Sequence, residues 1–216
     1  MPVRALTINC SLKRSSSNSS DGSTPQPSST ARLLQELEAQ WAQLGVQVAP
    51  TVRAADLNLL PGVTSDEGPG DDWPAVRRSI MEADILVLGT PIWLGQPSSV
   101  CKRVLERMDA FISEADDKTG HMPAYGKVAG VAVVGNEDGA HHVSAEVFQA
   151  LVDVGFTVPA SASTYWVGEA MGSVNYSDLH QTPEKTAGTT RTLAILTAHL
   201  AGVLKQHPYP PVKSGG

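Results

Sequence analysis

Residues 83–111, ADILVLGTPIWLGQPSSVCKRVLERMDAF, hold a buried strand, a turn rich in Gly and Pro, and an amphipathic helix in direct succession. The strand, Ala83 to Gly89, is apolar at consecutive positions, as a central parallel strand covered on both faces should be. Ser98 or Ser99 caps the helix, whose expected buried face is Val100, Val104, Leu105, Met108 and Ile112. A strand that feeds a helix in this way belongs to a parallel sheet, which binds ligands outside the carboxyl ends of its strands. The turn TPIWLGQPSS stands at that end and carries Trp93 where an aromatic ring would be exposed, which suggests a planar ligand.

The same alternation runs outward in both directions. Val3 to Asn9 reads as strand one. Thr30 to Leu44 reads as a helix burying Leu33, Leu34, Leu37, Trp41 and Leu44, with Gly45 as its C-cap. Val46 to Val52 alternates apolar and polar, and Pro50 marks it as an edge strand. Asp71 or Asp72 caps a helix that has Pro74 in its first turn. Val128 to Val134 is a fourth strand, followed by a helix with Val143, Val147, Phe148, Leu151 and Val152 on one side and Gly155 at its end. Ser161 to Val167 is the fifth strand, and Thr190 to Lys205 the last helix, with Leu193, Leu196, Leu200 and Leu204. This pattern predicts an α/β fold: a three-layer, doubly wound, five-stranded parallel sheet of order 2-1-3-4-5, with its crevice between strands one and three. Residues 1–205 form one expected domain, and 206–216, QHPYPPVKSGG, an expected disordered tail. Gly168 to Ala187 is long and irregular, as a functional lid or a disordered loop would be.

Composition bounds the function. The chain has 216 residues, 41% of them apolar, and a net charge of −6, which argues against a nucleic-acid partner. No apolar run reaches the length of a bilayer span, and MPVRALTINCS lacks the regions of a signal peptide, so a cytoplasmic location is expected. Cys10 and Cys101 alone supply neither a disulfide framework nor a cysteine metal cluster. The sequons at Asn18 and Asn175 then read as accidental.

Three loops at the carboxyl edge carry the chemistry. The first, CSLKRSSSNSSDGSTPQPSSTARLL, has neither the G-x-G-x-x-G of a dinucleotide fold nor a P-loop. Its hydroxyls, cations and helix entry suit a phosphate monoester, with Ser11, Lys13, Ser29 and Thr30 as expected donors. Residues 15–23 read as a serine-rich linker. In the second loop, backbone groups of Pro91, Ile92, Trp93, Leu94 and Gly95 face the edge of a flat ring, and Trp93 stacks on it or flanks it. A core or subunit-interface role is the competing reading of Trp93, and Cys101 reads as a small buried apolar residue. The third loop, GNEDGAHH, sets Gly135, Asn136, Glu137, Asp138 and Gly139 against the same ligand, although capping explains Asp138 equally well. His141 and His142 are adjacent, so at most one reaches the site, His141 being the candidate, and their spacing excludes a helical metal pair. No metal is expected.

On these loops the chain resembles the flavodoxin-like NAD(P)H-dependent FMN reductases, a group that includes quinone reductases and iron–sulfur flavoproteins. The resemblance runs from Val3 to about Leu204 and rests on GTPIWLGQPSSVCKR and GNEDGAHH. It implies FMN, with its phosphate between Ser11 and Thr30 and its isoalloxazine between Pro91–Gly95 and Gly135–Gly139. It also implies a homodimer or homotetramer. The first loop is longer than the family's, through an insertion between Lys13 and Ser28. The iron–sulfur branch has cysteines after strand two, where this chain reads DLNLLPGVTSDEG, so no cluster is expected.

The expected function is therefore hydride transfer from NAD(P)H, as co-substrate, through FMN to a small-molecule electron acceptor such as a quinone or flavin, with no obligate catalytic acid or base. Trp166, Asn175 and His141 are the expected substrate contacts; a core position is the competing reading of Trp166. The rival is a flavodoxin-type electron carrier serving protein partners, which would be more acidic and carry a T-G-N-T-type phosphate loop.

Overall fold

The computed structural model describes residues 2–14 and 28–213. The expectation of a linker over 15–23 lies outside the described residues. In chain order the elements are β1 (Arg4–Asn9), α1 (Ser29–Gln43), β2 (Gln47–Val48), β3 (Val52–Arg53), α2 (Trp73–Glu82), β4 (Ile85–Trp93), β5 (Gln96–Pro97), α3 (Ser99–Met108), α4 (Ala110–Ser113), β6 (Val128–Gly135), α5 (Ala140–Asp153), β7 (Ser163–Val167) and α6 (Glu184–Gln206). The parallel sheet runs β2-β1-β4-β6-β7, which is the 2-1-3-4-5 order expected for its principal strands. Ala5–Asn9 lies opposite Ile85–Gly89, and Ile85–Pro91 opposite Val128–Val134, so β4 is paired on both sides through its apolar run.

Two apolar layers sandwich the sheet. On one face α1 and α6 bury Leu33, Leu34, Leu37, Trp41, Leu193, Ala201 and Leu204 against Ala5, Ile85 and Val87. On the other, α2, α3 and α5 bury Trp73, Ile80, Val104, Met108, Val143, Val147 and Leu151 against Leu6, Ile8, Leu86 and Leu88.

Several expected details differ, each for a local reason. The second strand is broken into β2 and β3 by Ala49-Pro50-Thr51, and both short pieces pair with β1. Leu44 is the C-cap of α1 rather than part of its buried stripe, and is 48% exposed. The chain re-caps at Asp109 between α3 and α4, which turns Ile112 outward. Val152, in the last turn of α5, is also exposed. Helix α6 begins at Glu184, and part of its buried face is threonine: Thr186, Thr190 and Thr197. Thr190 and Thr164 share a hydroxyl hydrogen bond of 2.8 Å, and Thr197 Oγ1 accepts from Trp41 Nε1 at 3.0 Å.

The 57–72 loop is secured from inside. Arg107 and Asp71 form an ion pair at 2.7 Å with both side chains fully buried. The guanidinium also donates to the carbonyls of Leu60 and Thr64 and lies over the Trp73 ring. Asp71 Oδ1 accepts from Trp73 N, so Asp71, not the N-cap residue Asp72, supplies the side-chain cap of α2. Burial alone would raise the Asp71 carboxyl; hydrogen bonds from Arg107 and from the backbone N–H groups of Glu67, Trp73 and Leu60 instead hold it well below the ordinary range. After α6, residues 207–213 run back along the surface: Tyr209 and Thr157 share a hydroxyl hydrogen bond, and Val212 N donates to Thr119 O.

Candidate functional site

Strand β4 continues past Gly89 and turns directly into β5. Ile92 and Trp93 pair antiparallel with Pro97 and Gln96, leaving Leu94 and Gly95 as a two-residue turn at φ +53° and +74°. Positive φ at both central residues is the type I′ signature, which matches the twist of a tight hairpin and normally carries Asn-Gly or Asp-Gly. Leucine at the first position is strained and 90% exposed. The tip is held from the third loop. Glu137 Oε1 accepts from Leu94 N at 2.8 Å, and a Cβ on Gly139 (φ +124°) would sit 3.0 Å from Gly95 Cα and 3.1 Å from Gly95 O. Only glycine lets the two loops approach so closely.

The base of the hairpin is stitched to the first loop. Ser98 Oγ donates to Cys10 O at 2.6 Å and caps α3 by accepting from Cys101 N, while Ser98 N donates to Thr90 Oγ1. Both cysteines are fully buried; contact with Cys101, together with burial, pushes the Cys10 thiol well above its ordinary value, so it stays a neutral thiol. Gly89 lets α1 lie against β4, since a Cβ there would meet Leu34 and Thr30 side-chain atoms at 2.7 and 2.8 Å.

These loops and the segment after β7 enclose a crevice of about 470 Å³ across the carboxyl ends of β1, β4, β6 and β7. The first loop and the start of α1 contribute Ser11, Lys13, Ser29 and Thr30, the hairpin Pro91, Ile92, Trp93 and Leu94, the third loop Gly135, Asn136 and Glu137, and the chain from β7 onward Trp166 and Asn175. Four expected residues do not line it. Gly95 and Gly139 are spent on each other's close approach. Asp138 turns back to accept from Gly139 N. His141 Nε2 lies 3.2 Å from Tyr165 OH with the rings edge-on, and His142 meets Gln96 instead. Leu12, Ser28, Val134 and Met171 also line the crevice without having been expected. Ser28 has the Ser-before-helix signal of an N-cap, and its Oγ accepts from Ala31 N at 3.3 Å. Nothing in the sequence marks Met171, which depends on the path of the irregular segment.

That segment is tied down at both ends. Gly168 N donates to Gly135 O, Met171 N to Asn136 O, and Asn136 Nδ2 to Gly172 O. Farther on, Tyr176 is fully buried between Trp166 (ring centroids 5.4 Å) and the Arg32 guanidinium (4.9 Å from its ring). Its hydroxyl donates to Glu36. Trp166 therefore serves both readings: it packs on the α1–α6 layer and lines the crevice. Trp93 is 53% exposed, which rules out a core role within this chain.

The chemistry of this donor set fits FMN. One end offers hydroxyls, first-turn N–H groups of α1 and the Lys13 cation for a phosphate, and the rest is a slot between apolar and backbone walls. Among the described residues no helix is long and apolar enough to cross a membrane.

A family model for NADPH-dependent FMN reductase matches residues 21–171. The chain is 32% identical to the 8-demethyl-8-aminoriboflavin-5′-phosphate synthase of Streptomyces davaonensis, over 97% of this chain and 81% of that protein. It is 37% identical to a divalent metal cation transporter, MntH, of Mycobacterium bovis, over 94% of this chain but only 29% of the transporter's length. Among solved structures, RosB with bound 8-demethyl-8-formylriboflavin-5′-phosphate superposes with a TM-score of 0.81 at 32% identity, covering 96% of this chain and 82% of RosB. An NADH:FMN oxidoreductase, at 18% identity and a TM-score of 0.58 over 97% of this chain and 94% of its own, shares the fold. The chain belongs to the NADPH-dependent FMN reductase family, flavodoxin-like flavoprotein oxidoreductases with FMN as cofactor and NAD(P)H as reductant.

Proposed function

We propose that this protein oxidises NADH or NADPH through FMN held in the carboxyl-edge crevice and passes the electrons to a quinone, a free flavin or a similar small acceptor. The observation that carries the reading is the division of the crevice lining: phosphate donors where α1 begins, and backbone and aromatic walls, the half-exposed Trp93 among them, along the hairpin. Bound FMN supplies hydride acceptance and electron release. The chain's own part is binding and orientation. Lys13 and the α1 N-terminus counter the phosphate charge. The Pro91–Leu94 backbone and Asn136 flank the ring, and Trp93, Met171 and Trp166 exclude water beside it. No side chain in the crevice is assigned a proton-transfer role, because hydride transfer depends on stacking distance rather than on an acid or base. A homodimer or homotetramer is part of the proposal, as is a small-molecule rather than a nucleic-acid partner.

The test is direct. Purified protein should be yellow, or take up FMN, and should oxidise NADH or NADPH only when a quinone or free flavin is supplied. A colourless protein that refuses FMN would sink the proposal. Turnover that required a partner protein would favour the electron-carrier alternative, for which flavodoxin neighbours at 11% and 14% identity support the fold alone.

A second reading follows from the 32% identity to the aminoriboflavin-phosphate synthase over nearly the whole chain. Here the flavin phosphate would be the substrate, altered at its ring, rather than a recycled cofactor. Mass spectrometry of the flavin after prolonged incubation separates the two: an unchanged mass of FMN supports the reductase, and a changed one the modifying enzyme.

A further inference from the structure

The segment after β7 does more than wall the crevice. Arg32, one turn into α1 from Ser29, donates through Nη1 to Tyr176 O at 2.8 Å and to Leu179 O at 2.6 Å. Its Nε is paired with Glu36, and Glu36 also accepts from Thr182 Oγ1 at 2.6 Å. These contacts set residues 176–182 against the first turns of α1. Ser177 N then donates to Ser29 Oγ at 3.2 Å across 148 residues of sequence, with Ser177 Oγ 3.3 Å from the same oxygen.

A serine hydroxyl that accepts a backbone N–H has one proton left to direct. The Ser29 proton can go to Ser177 Oγ or to an acceptor in the crevice that Ser29 lines. Ser177 Oγ has a partner of its own in Asp178 Oδ1, and Asp178 is in turn held by Asn175. An anionic oxygen at the α1 end wins the Ser29 proton over a neutral hydroxyl, because charge-assisted hydrogen bonds are the stronger kind.

We propose that Arg32 is a positioning residue for phosphate recognition: it fixes the Ser177 N–H on Ser29 Oγ, so that the Ser29 hydroxyl is aimed at a ligand's phosphate monoester and the site discriminates phosphorylated from unphosphorylated flavin. Arg32 touches no ligand in this scheme and acts through Ser177 and Ser29. The inference rests on the flavin reading of the crevice for its natural ligand, but not for its test.

The experiment is a double-mutant cycle of Arg32→Met and Ser29→Ala, read as dissociation constants for FMN and for riboflavin by fluorescence titration. Each single variant should weaken FMN about tenfold, the worth of one charge-assisted hydrogen bond, and leave riboflavin within about twofold. The double variant should be no weaker than either single one. A loss shared equally by both flavins would make Arg32 merely structural. Additive losses for FMN would mean that Arg32 acts by its own charge. Either result overturns the proposal. If Arg32→Met does not fold, Arg32→Lys, which keeps the charge but not the two-carbonyl reach, enters the same cycle. If the wild type bound neither flavin, the functional reading would fail by itself, and inorganic phosphate followed by 31P NMR on the same variants would decide this one. Phosphate binding weakened by the Arg32 variant only when Ser29 is present supports it, and absence of phosphate binding refutes it.

Discussion

Gly139→Ala is the sharpest perturbation of the crevice that leaves every lining side chain in place. At φ +124° an L side chain is strained, and a Cβ would stand 3.0 Å from Gly95 Cα, 3.1 Å from Gly95 O and 3.3 Å from Gly95 C. All three neighbours are main chain, so relief requires moving the hairpin tip or the start of α5 by a few tenths of an ångström. Backbone strain of this kind costs about 1–3 kcal/mol, which for a chain of this size lowers the melting temperature by about 2–12 °C. The hairpin moves with its tip, so FMN affinity should fall as well. Differential scanning fluorimetry with and without FMN, paired with a flavin titration, reads both effects. Gly188→Ala is the control: it lies in α6 with nothing within 4 Å of the added methyl, and should stabilise by about 0.5–1 kcal/mol. A Gly139→Ala variant that melts and binds FMN like the wild type would refute the reasoning that the two loops brace each other through glycine.

Further expectations are simpler. Asp71→Asn leaves the fully buried Arg107 without its counter-charge and should cost about 3–5 kcal/mol in denaturant unfolding. Because the Asp71 carboxyl is held below its ordinary value of 3.8, its contribution is present above about pH 4 and fades as the pH falls further. The wild type should therefore lose more stability between pH 5 and pH 2 than Asp71→Asn does, and equal losses would refute the assignment. Tyr176→Phe removes a buried hydroxyl donor to the Glu36 carboxylate and should cost about 1.5–3 kcal/mol in the same assay. Trp93→Ala, at a half-exposed position, should leave unfolding within about 0.5 kcal/mol. It should weaken FMN binding by about 1–3 kcal/mol if the indole stacks on the ring; unchanged affinity would leave the backbone of the hairpin as the contact.

The fold was legible where hydrophobic period and burial coincide. The run around Leu86 and Leu88, the Leu33–Leu37–Trp41 stripe and the Val143–Val147–Leu151 stripe each mark an element that the structure contains. What escaped the sequence depends on partners distant along the chain. Thr186, Thr190 and Thr197 read as polar, yet they face inward because the Tyr165 carbonyl, Thr164 and Trp41, respectively, satisfy their hydroxyls. Leu94 carries no turn signal, and its positive φ follows from the pairing of Trp93 with Gln96 and from Glu137 across the crevice. Within the site, the loops that meet were readable from their place at the carboxyl edge. Which of their residues face inward was not: Gly95 and Gly139 met each other, and His141 met Tyr165. The Arg107–Asp71 pair lay beyond reach because 36 residues separate its halves and Asp71 reads only as a local helix cap.

The division of the second strand at Pro50 bears on how copies of this chain can associate. An edge strand offers a row of free N–H and C=O groups on which another molecule can build a continuous intermolecular sheet. Here that border is cut into two pieces of two residues each, Gln47–Val48 and Val52–Arg53, separated by three residues of which Pro50 has no N–H to give. Such a border is a poor template for strand addition, which guards this side of the sheet against edge-to-edge pairing. Strand addition is thereby disfavoured on this side of the sheet, whereas the opposite border, β7 (Ser163–Val167), is an unbroken five-residue strand paired with β6 alone.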